Sequence, residues 1–415
     1  MRKISEPKTV RRSARSAGLF VLLGAAAALG GSLAAMWFTG RELQPVPRAG
    51  YPTATTLHFA PEPSPTAGPE PAATASKPTR ARGVVLIIGD GMGISHLFAG
   101  RAALSHPAER LFLERLPVTG WLTTFAHASL YTDSAAAGTA MATGAKTAPF
   151  LLAISPEGRS LTTVAEAAHT AGFATGLITD TDVLDATPAA FVAHARRRDY
   201  PAVAAQTAAA GLTLLAGSNT LSRTRGADDD SFERGLQDHG MQVVHDFDHW
   251  QRALRSGKRV AGLFPEGSIA DLERPPLLAA LARSALERLL AEPGGFFLMV
   301  ETEEVDTAAH RHDLSRVIGG VRALDAVTRM VVERTGERGD VLVIVTADHE
   351  TGGLGLVGGT EGAPIRVRWA THSHTAEPVP LFAIGPGAEH LSGMHDNTEI
   401  ARVIVRALDL DLDAP

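Results

Sequence analysis

The sequence predicts an α/β fold in which a large, mostly parallel β-sheet is sandwiched between helices. Short, largely apolar runs predict buried strands, and amphipathic segments between several of them predict helices. Strands that are apolar on both faces and alternate with helices are typical of a parallel sheet covered on both sides. The predicted strands are residues 84–88, 174–178, 212–215, 260–264, 296–300, 341–345 and 380–384.

The order of the elements along the chain supports this fold. The first apolar run, residues 84–88, leads directly into Gly-Asp-Gly, which predicts a buried strand that ends in a tight turn. Each predicted helix comes immediately before a predicted strand, as expected for crossover connections. The pairs are 161–171 before 174–178, 201–210 before 212–215, 276–290 before 296–300, and 314–333 before 341–345.

Composition and charge exclude several classes of protein. The chain of 415 residues has no Cys, which excludes Cys nucleophiles, thiolate metal sites and disulfides. Its net charge is −6, and because residues 1–16 carry six Lys or Arg and one Glu, the rest of the chain is the more acidic. Nucleic-acid-binding proteins present a basic surface, so we expect no nucleic-acid partner.

The N-terminal residues predict export or attachment to a membrane. A basic, cytoplasmic tip, residues 1–16, precedes residues 17–38, which contain no charged side chain. A helix of this length would span roughly 30 Å, the thickness of the hydrocarbon core of a bilayer. An uncleaved transmembrane anchor fits the length, and a cleaved signal peptide would use Ser32-Leu33-Ala34; both readings stay open. In either case the rest of the chain is expected outside the cytoplasm, in the periplasm or at the cell surface.

Beyond this segment the chain divides into a linker and a folded body. Residues 39–82 are rich in Pro, Thr, Ala and Glu and have no apolar periodicity, which predicts a disordered or semi-extended tether. The first apolar strand begins just after this stretch. Residues 83–415 are therefore the predicted catalytic domain.

Several carboxylates and imidazoles stand immediately after predicted strands. Ligands of open α/β sheets bind beyond the carboxyl ends of the strands, so these side chains are expected to converge there from distant parts of the sequence. His374 is an exception, because it precedes a strand. The residues that follow strands are Asp90, Asp180, Asp182, Glu301, Asp348 and His349.

Residues 131–139, Tyr-Thr-Asp-Ser-Ala-Ala-Ala-Gly-Thr, contain a candidate nucleophile. The small residues after Ser134 allow a helix to begin there and allow other groups to approach closely. A Ser at a helix N-terminus lies in a positive field beside free N–H groups, which suits the binding of phosphate oxygens. For such a pair alone, the commoner role of Asp133 or Ser134 would be an ordinary N-cap.

Asp306 and His310 form a candidate metal-binding pair. They are four residues apart, so on a helix they share one face and could place a carboxylate and an imidazole on one cation. A surface ion pair would be the commoner explanation if this segment stood alone. Asp348 and His349, directly after an apolar strand, are ambiguous in the same way.

Taken together, these segments resemble the alkaline phosphatase family. Any one of them is weak evidence, but they occur in the family's order from about residue 83 to the C-terminus. The resemblance implies an alkaline phosphatase-like sheet and hydrolysis of small phosphate monoesters through a phosphoserine at Ser134. The segments are Gly89-Asp-Gly-Met-Gly93, Asp133-Ser134, Asp185-Ala-Thr-Pro-Ala189, Glu301 with Asp306 and His310, Thr346-Ala-Asp-His-Glu-Thr-Gly-Gly353, and His374-Thr375.

The resemblance also implies three metal ions, two Zn²⁺ and one Mg²⁺. This agrees with ligand chemistry, because imidazole and carboxylate groups suit zinc and an all-oxygen site suits magnesium. The nearby His312 and His372 are alternatives to His310 and His374, but the spacing favours the latter two. The first zinc would be held by Asp306, His310 and His374, the second by Asp90, Asp348, His349 and the Ser134 oxygen, and the magnesium by Asp90, Thr187, Glu301 and, through water, Asp185.

The family also has an arginine that binds the phosphate. Arg198 is the candidate, because it lies four residues after His194, as the family's arginine does after its histidine. Arg196 and Arg197 adjoin it, so the assignment depends on the register of the chain.

Some features depart from the family pattern. Thr307 stands where many members have Lys, Trp or His near the third metal, which leaves the identity of that metal open. The stretch between Gly353 and His374 is short, so we expect a compact form without a large crown insertion and with an open active site. The resemblance also implies a homodimer.

Two other functions are alternatives to phosphomonoester hydrolysis. Phosphodiesterases of the same superfamily often use Thr as the nucleophile and lack the oxygen-rich third site, so Ser134, Thr187 and Glu301 argue against them. A membrane-tethered, non-catalytic protein that binds phosphate or metal would be expected to have lost some of the site residues, all of which are present here.

Overall fold

The computed structural model describes residues 55–57, 80–104, 108–220, 229–265, 267–269, 277–336, 338–359 and 365–412. The predicted membrane segment, residues 17–38, lies outside these ranges. Across the ranges that are described, no helix combines the length and the apolar character needed to cross a bilayer.

The strands and helices are numbered along the chain. The strands are β1 (Thr55–Leu57), β2 (Gly83–Gly89), β3 (Val118–Thr123), β4 (Leu151–Leu152), β5 (Ala174–Asp182), β6 (Ala195–Arg196), β7 (Leu214–Ser218), β8 (Met241–Val244), β9 (Arg259–Phe264), β10 (Phe296–Thr302), β11 (Val341–Thr346), β12 (Glu350–Thr351), β13 (Gly355–Gly358), β14 (Ile365–Arg368), β15 (His374–Thr375), β16 (Val379–Ile384) and β17 (Gly393–Asp396). The helices are α1 (Ile94–Ala102), α2 (Ser134–Thr143), α3 (Val164–Thr170), α4 (Ala186–Ala189), α5 (Tyr200–Ala209), α6 (Asp229–Asp238), α7 (Phe247–Leu254), α8 (Leu277–Leu290), α9 (Glu304–His310), α10 (Leu314–Thr335) and α11 (Glu399–Leu408).

The central sheet has ten strands in the order β17-β3-β16-β11-β2-β10-β5-β7-β9-β8. Only β16 runs against the others, because it pairs antiparallel with both of its neighbours, β11 and β3, whereas the remaining pairs are parallel. The predicted fold class, a large and mostly parallel sheet between helices, is confirmed.

Helices cover the middle of this sheet. Every residue of β2, β10 and β11 is buried, which explains why their sequences are apolar runs without alternation. One group of helices, α10 with α1 and α8, packs on β2 or its neighbours. A second group, α11 with α2 and α3, packs together, with α11 reaching β2 and α3 reaching β5 and β10. The carboxyl ends of the parallel strands are left for the loops.

Some described residues before the predicted boundary at residue 83 pair with later parts of the chain. Strand β1, which lies within the predicted linker 39–82, pairs antiparallel with β14 in a small separate sheet. The Ala81 amide donates a hydrogen bond to the carbonyl of Ala407 at 2.8 Å. A stretch without apolar periodicity can contribute an edge strand, because the backbone of its partner supplies the hydrogen bonds.

Candidate active site

Helix α2 presents Ser134 as its first residue. Asp133 is the N-cap, and its carboxylate accepts a hydrogen bond from the Ala136 amide at 3.1 Å. The small residues that follow allow close packing: a Cβ on Gly138 would lie 2.9 Å from the Cβ of Ala190. Ser134 is buried, and its Oγ lies 3.3 Å from Nε2 of His349. The predicted nucleophile is therefore at a helix N-terminus and in contact with a predicted metal ligand.

The first group of candidate ligands consists of Asp90, Asp348 and His349, all of them buried. Asp90 follows β2, and the other two follow the neighbouring strand β11. Nε2 of His349 lies 3.1 Å from Oδ2 of Asp348 and 3.6 Å from Oδ1 of Asp90. Burial, followed by the repulsion that a protonated His374 would exert, lowers the pKa of His349, which favours the neutral ring that can bind a metal.

Two carboxylate oxygens of this group fit a cation. Oδ1 of Asp90 and Oδ2 of Asp348 are buried and have no hydrogen-bond partner among the described residues. Burial raises the pKa of Asp348 to about 7 and, together with the charge of Asp348, raises the pKa of Asp90 well above its ordinary value. Buried acceptors without donors are costly, and a bound cation would satisfy them.

The second group of candidate ligands is Asp306, His310 and His374. Nε2 of His310 lies 3.3 Å from Oδ2 of Asp306, and Nε2 of His374 lies 3.6 Å from Oδ1. The Nδ1 atoms of the two histidines donate to the carbonyls of His372 and Thr132, at 2.6 and 2.9 Å. This arrangement leaves the lone pair of each Nε2 available to a metal, as is usual for histidines that bind metals.

The direction of β16 explains how His374 reaches the site. Because β16 is antiparallel to β11, its amino end lies at the same edge as the carboxyl ends of the parallel strands. The short strand β15 pairs His374 with Thr351, two residues after His349. Among the described residues, His312 and His372 belong to neither candidate ligand group, and their rings stack on each other with centroids 3.7 Å apart.

The three other predicted oxygen ligands, Thr187, Glu301 and Asp185, each make a hydrogen bond in the structure. Thr187, in α4, donates a hydrogen bond from Oγ1 to Oδ2 of Asp90 at 3.5 Å. Glu301, at the end of β10, is buried and accepts a hydrogen bond from Thr179 at 2.7 Å. Asp185 is the N-cap of α4, and its Oδ1 accepts a hydrogen bond from the Ala186 amide at 2.7 Å.

The structure brings Arg197, and not the predicted Arg198, next to Asp133 and Asp185. The Arg197 guanidinium lies 3.3 Å from Oδ2 of Asp133 and 3.3 Å from Oδ1 of Asp185. Burial alone would lower the pKa of Arg197, but these two carboxylates raise it, so the side chain stays charged. Arg198 instead places its guanidinium over the ring of Phe150, 5.9 Å from the ring centroid.

Glu303 is a buried carboxylate near the candidate ligands that was not predicted from the sequence. Burial, followed by the charge of Asp185, raises its pKa to about 8. Its backbone amide donates to Oδ1 of Asp180 at 2.8 Å, which ties the start of α9 to the end of β5. Its position two residues after Glu301 was the available signal, but a carboxylate beside a helix N-terminus is ordinarily a capping or surface residue.

Comparison with known proteins identifies the family. The family model described as Alkaline phosphatase matches residues 81–213, 215–364 and 363–410. Streptomycin-6-phosphate phosphatase of Streptomyces griseus is 32% identical over 414 residues, covering 81% of this chain and 92% of that protein. Alkaline phosphatase of Escherichia coli K12 is 28% identical over 408 residues, covering 80% of this chain and 86% of that protein.

Solved structures agree with the sequence comparison. The alkaline phosphatase of Thermus thermophilus superposes with a TM-score of 0.72 at 25% identity, covering 86% of this chain and 97% of that one. The cold-active alkaline phosphatase of a psychrophilic Shewanella gives a TM-score of 0.71 at 26% identity, covering 79% of this chain and 99% of that one. The chain belongs to the alkaline phosphatase family and is a phosphomonoester hydrolase.

Proposed function

We propose that this phosphomonoesterase uses Ser134 as its nucleophile and forms a phosphoserine intermediate. The observation that supports this best is the position of Ser134 at the N-terminus of α2, with its Oγ 3.3 Å from Nε2 of His349. A hydroxyl at that point combines the positive field of the helix with a neighbouring candidate metal ligand.

We further propose that the two candidate ligand groups each hold one Zn²⁺. Asp306, His310 and His374 would hold one ion, and Asp90, Asp348 and His349, with the Ser134 oxygen, would hold the other. The mixture of imidazole and carboxylate favours zinc. The third ion, Mg²⁺, would be held by Asp90, Thr187 and Glu301, with Asp185 acting through water, because these donors are all oxygen atoms.

When bound, such ions supply Lewis acidity: they lower the pKa of a coordinated hydroxyl and stabilise charge on the attacking and leaving oxygens. Ser134 Oγ would attack phosphorus in line with the departing alcohol oxygen, and water would then displace the serine from the phosphoryl group, releasing inorganic phosphate. Arg197 would bind the non-bridging phosphoryl oxygens, since it is charged and is paired with Asp133, the residue before Ser134.

Acid should weaken this site before it unfolds the protein. Carboxylates and imidazoles must lose protons to bind metal, and the pKa of Asp348 is raised to about 7 by burial. Metal binding therefore competes with protons close to neutral pH.

Chelation followed by addition of metals tests the proposal. Hydrolysis of p-nitrophenyl phosphate should disappear with the chelator and return only when Zn²⁺ and Mg²⁺ are both restored. Ser134→Ala should still take up metal, because three other ligands of that ion remain, and should have no activity above background. Faster hydrolysis of bis-p-nitrophenyl phosphate than of the monoester would favour the phosphodiesterase alternative, and metal uptake without hydrolysis of either would favour a non-catalytic binding protein.

We also propose that the enzyme acts outside the cytoplasm and is delivered there by residues 17–38. The charge and length of residues 1–38 support this, as the sequence analysis describes. Fractionation of cells that express the full chain, with mass analysis of the N-terminus, would separate a membrane anchor from a cleaved signal peptide. Sedimentation of the same material would test for a homodimer.

A further inference from the structure

His194 is held by two acceptors on opposite sides of its ring. Nδ1 lies 2.9 Å from the carbonyl of Ala153, and Nε2 lies 2.8 Å from Oε1 of Glu166 in α3. The backbone is fixed as well, because the His194 amide donates to Oε1 of Gln206 at 2.8 Å. Both ring nitrogens face oxygen acceptors, so the ring is an imidazolium when both bonds are made.

The carbonyl that His194 contacts belongs to a short segment, residues 150–153, that connects two parts of the active site. Phe150 donates its amide to Oδ1 of Asp133 at 3.1 Å and accepts a hydrogen bond from the Arg197 amide at 2.9 Å. Thr139, on the nucleophile helix, accepts a hydrogen bond from the Ala153 amide at 2.8 Å. The segment therefore holds both partners of the Asp133–Arg197 ion pair through its backbone.

This segment is in an unfavourable backbone conformation that its contacts must maintain. Phe150 has φ = 66° and Ala153 has φ = 42°, in the left-handed region that residues other than glycine rarely adopt. Strain of this kind persists only where surrounding interactions impose it. The bond from His194 to the Ala153 carbonyl is one of those interactions.

His194 and Arg197 are connected directly by the two residues of β6. Strand β6, Ala195–Arg196, follows His194 directly and pairs with β4, Leu151–Leu152, inside the same segment. His194 fixes the start of β6, and Arg197 leaves its end toward Asp133 and Asp185. A rotation or shift at His194 would therefore be transmitted to the guanidinium.

We propose that His194 is a positioning residue for the phosphate-binding Arg197, acting through the Ala153 carbonyl and β6 without touching the substrate. The inference rests on the proposed role of Arg197. The side chains of the His194–Glu166 pair are about 20–30% exposed, and the pair lies outside both candidate metal groups. The proposal gives this pair a role in the affinity for phosphate.

The test is a double-variant cycle in the metal-loaded full chain, with inorganic phosphate as the probe. His194→Ala should raise the inhibition constant for phosphate and KM for p-nitrophenyl phosphate by about tenfold, since small displacements of a binding group have effects of this size or larger. The change in kcat should be smaller, because Arg197 contacts the phosphoryl group in both the ground state and the transition state. In an Arg197→Ala background, His194→Ala should change the inhibition constant less than about twofold.

Conservative variants distinguish positioning from a general loss of structure. His194→Asn keeps a donor where Nδ1 stands and should recover most of the phosphate affinity, whereas His194→Gln keeps a donor only toward Glu166 and should recover less. These two variants also test the proposal if His194→Ala does not fold. His245→Ala is the matched control, because His245 forms a similar pair with Glu233 beside the edge strand β8 and should leave phosphate affinity unchanged.

The outcomes separate the two proposals. If Arg197→Ala weakens phosphate binding and His194→Ala does not, or if His194→Ala is equally damaging without Arg197, the positioning role is overturned and the proposed mechanism stands. If Arg197→Ala leaves phosphate affinity unchanged, the assignment of Arg197 itself fails, and the role of His194 fails with it.

Discussion

At the residue scale, Asp133 performs two tasks with one carboxylate. Its Oδ1 accepts hydrogen bonds from the amides of Ala136 and Phe150, each at 3.1 Å, and its Oδ2 faces Arg197. The first set of contacts starts the nucleophile helix, and the second orients the arginine. The structure therefore combines the N-cap role, which the sequence suggested as the commoner explanation, with a role in the site.

Substitution of Asp133 should separate these tasks. Asp133→Asn keeps an oxygen that can cap α2 but loses the negative charge beside Arg197, so phosphate affinity should fall while stability changes little. Asp133→Ala should lose both and unfold at a free energy lower by about 1 kcal/mol, the usual cost of a lost cap. Chemical denaturation and phosphate inhibition of the two variants provide the measurements; equal stability of the pair would contradict the capping role.

The choice between Arg197 and Arg198 is open to a direct comparison. Arg197→Ala should raise KM and the inhibition constant for phosphate by about 10- to 100-fold, the cost of a charge-assisted hydrogen bond of 1.5–3 kcal/mol. Arg198→Ala, the matched control, should change both less than threefold, because that guanidinium lies over Phe150. The reverse ranking would restore the assignment made from the spacing to His194.

These arginines show where residue-level prediction stops. The candidate metal ligands were named from the family resemblance, and some of them, such as Asp90 and Asp348, also stand directly after predicted strands. Arg198 was chosen by counting four residues from His194. In the structure β6 pairs with β4, and Arg197, the residue after β6, lies beside Asp133 and Asp185, which a count along the sequence does not show.

At the element scale, the antiparallel strand β16 is the feature that completes the site. The sequence predicted an apolar strand at residues 380–384 but not its direction, so His374 looked like an exception. Strand direction depends on which neighbours a strand pairs with, and these pairings are non-local. The strands β3, β8 and β17 escaped prediction because they are short or contain polar and glycine residues.

The connection between α3 and β6 should make stability depend on pH. The hydrogen bond to Glu166 raises the pKa of His194 above its ordinary 6.5, although burial opposes the change. Burial would raise the pKa of Glu166, but hydrogen bonds from His194 and Thr163 hold it below its ordinary 4.5. The raised pKa of His194 corresponds to stability that is fully present below pH 6.5 and is lost as the pH rises through the pKa of His194 in the folded protein. The lowered pKa of Glu166 corresponds to stability that is present above pH 4.5 and is lost as the pH falls through the pKa of Glu166 in the folded protein.

The difference in unfolding free energy between the native protein and His194→Ala should therefore be greatest between pH 4.5 and 6.5 and shrink above that range. Asp409 and Asp411 line the groove beside His194 and Glu166. Urea unfolding of both proteins after removal of metals would measure this without interference from metal loss. A difference that grows with rising pH would contradict it.

At the scale of the whole molecule, the sheet explains why one site can be built from residues spread between Asp90 and His374. The parallel strands β2, β11, β10 and β5 are adjacent, so the groups that follow them meet at one edge. Fold and site were predictable together because apolar strands and the polar residues after them are local signals. The boundary near residue 83 was less predictable, because β1 depends on a partner about 310 residues later in the chain.

The central claim is that phosphate passes through Ser134, and trapping the intermediate tests it most directly. The metal-loaded enzyme would be mixed with p-nitrophenyl phosphate, quenched in acid within a turnover, digested and examined by mass spectrometry. We expect one phosphoryl group on the peptide that contains Ser134, and none in Ser134→Ala. Full turnover by the native enzyme with an unmodified Ser134, or sustained turnover by Ser134→Ala, would contradict the account.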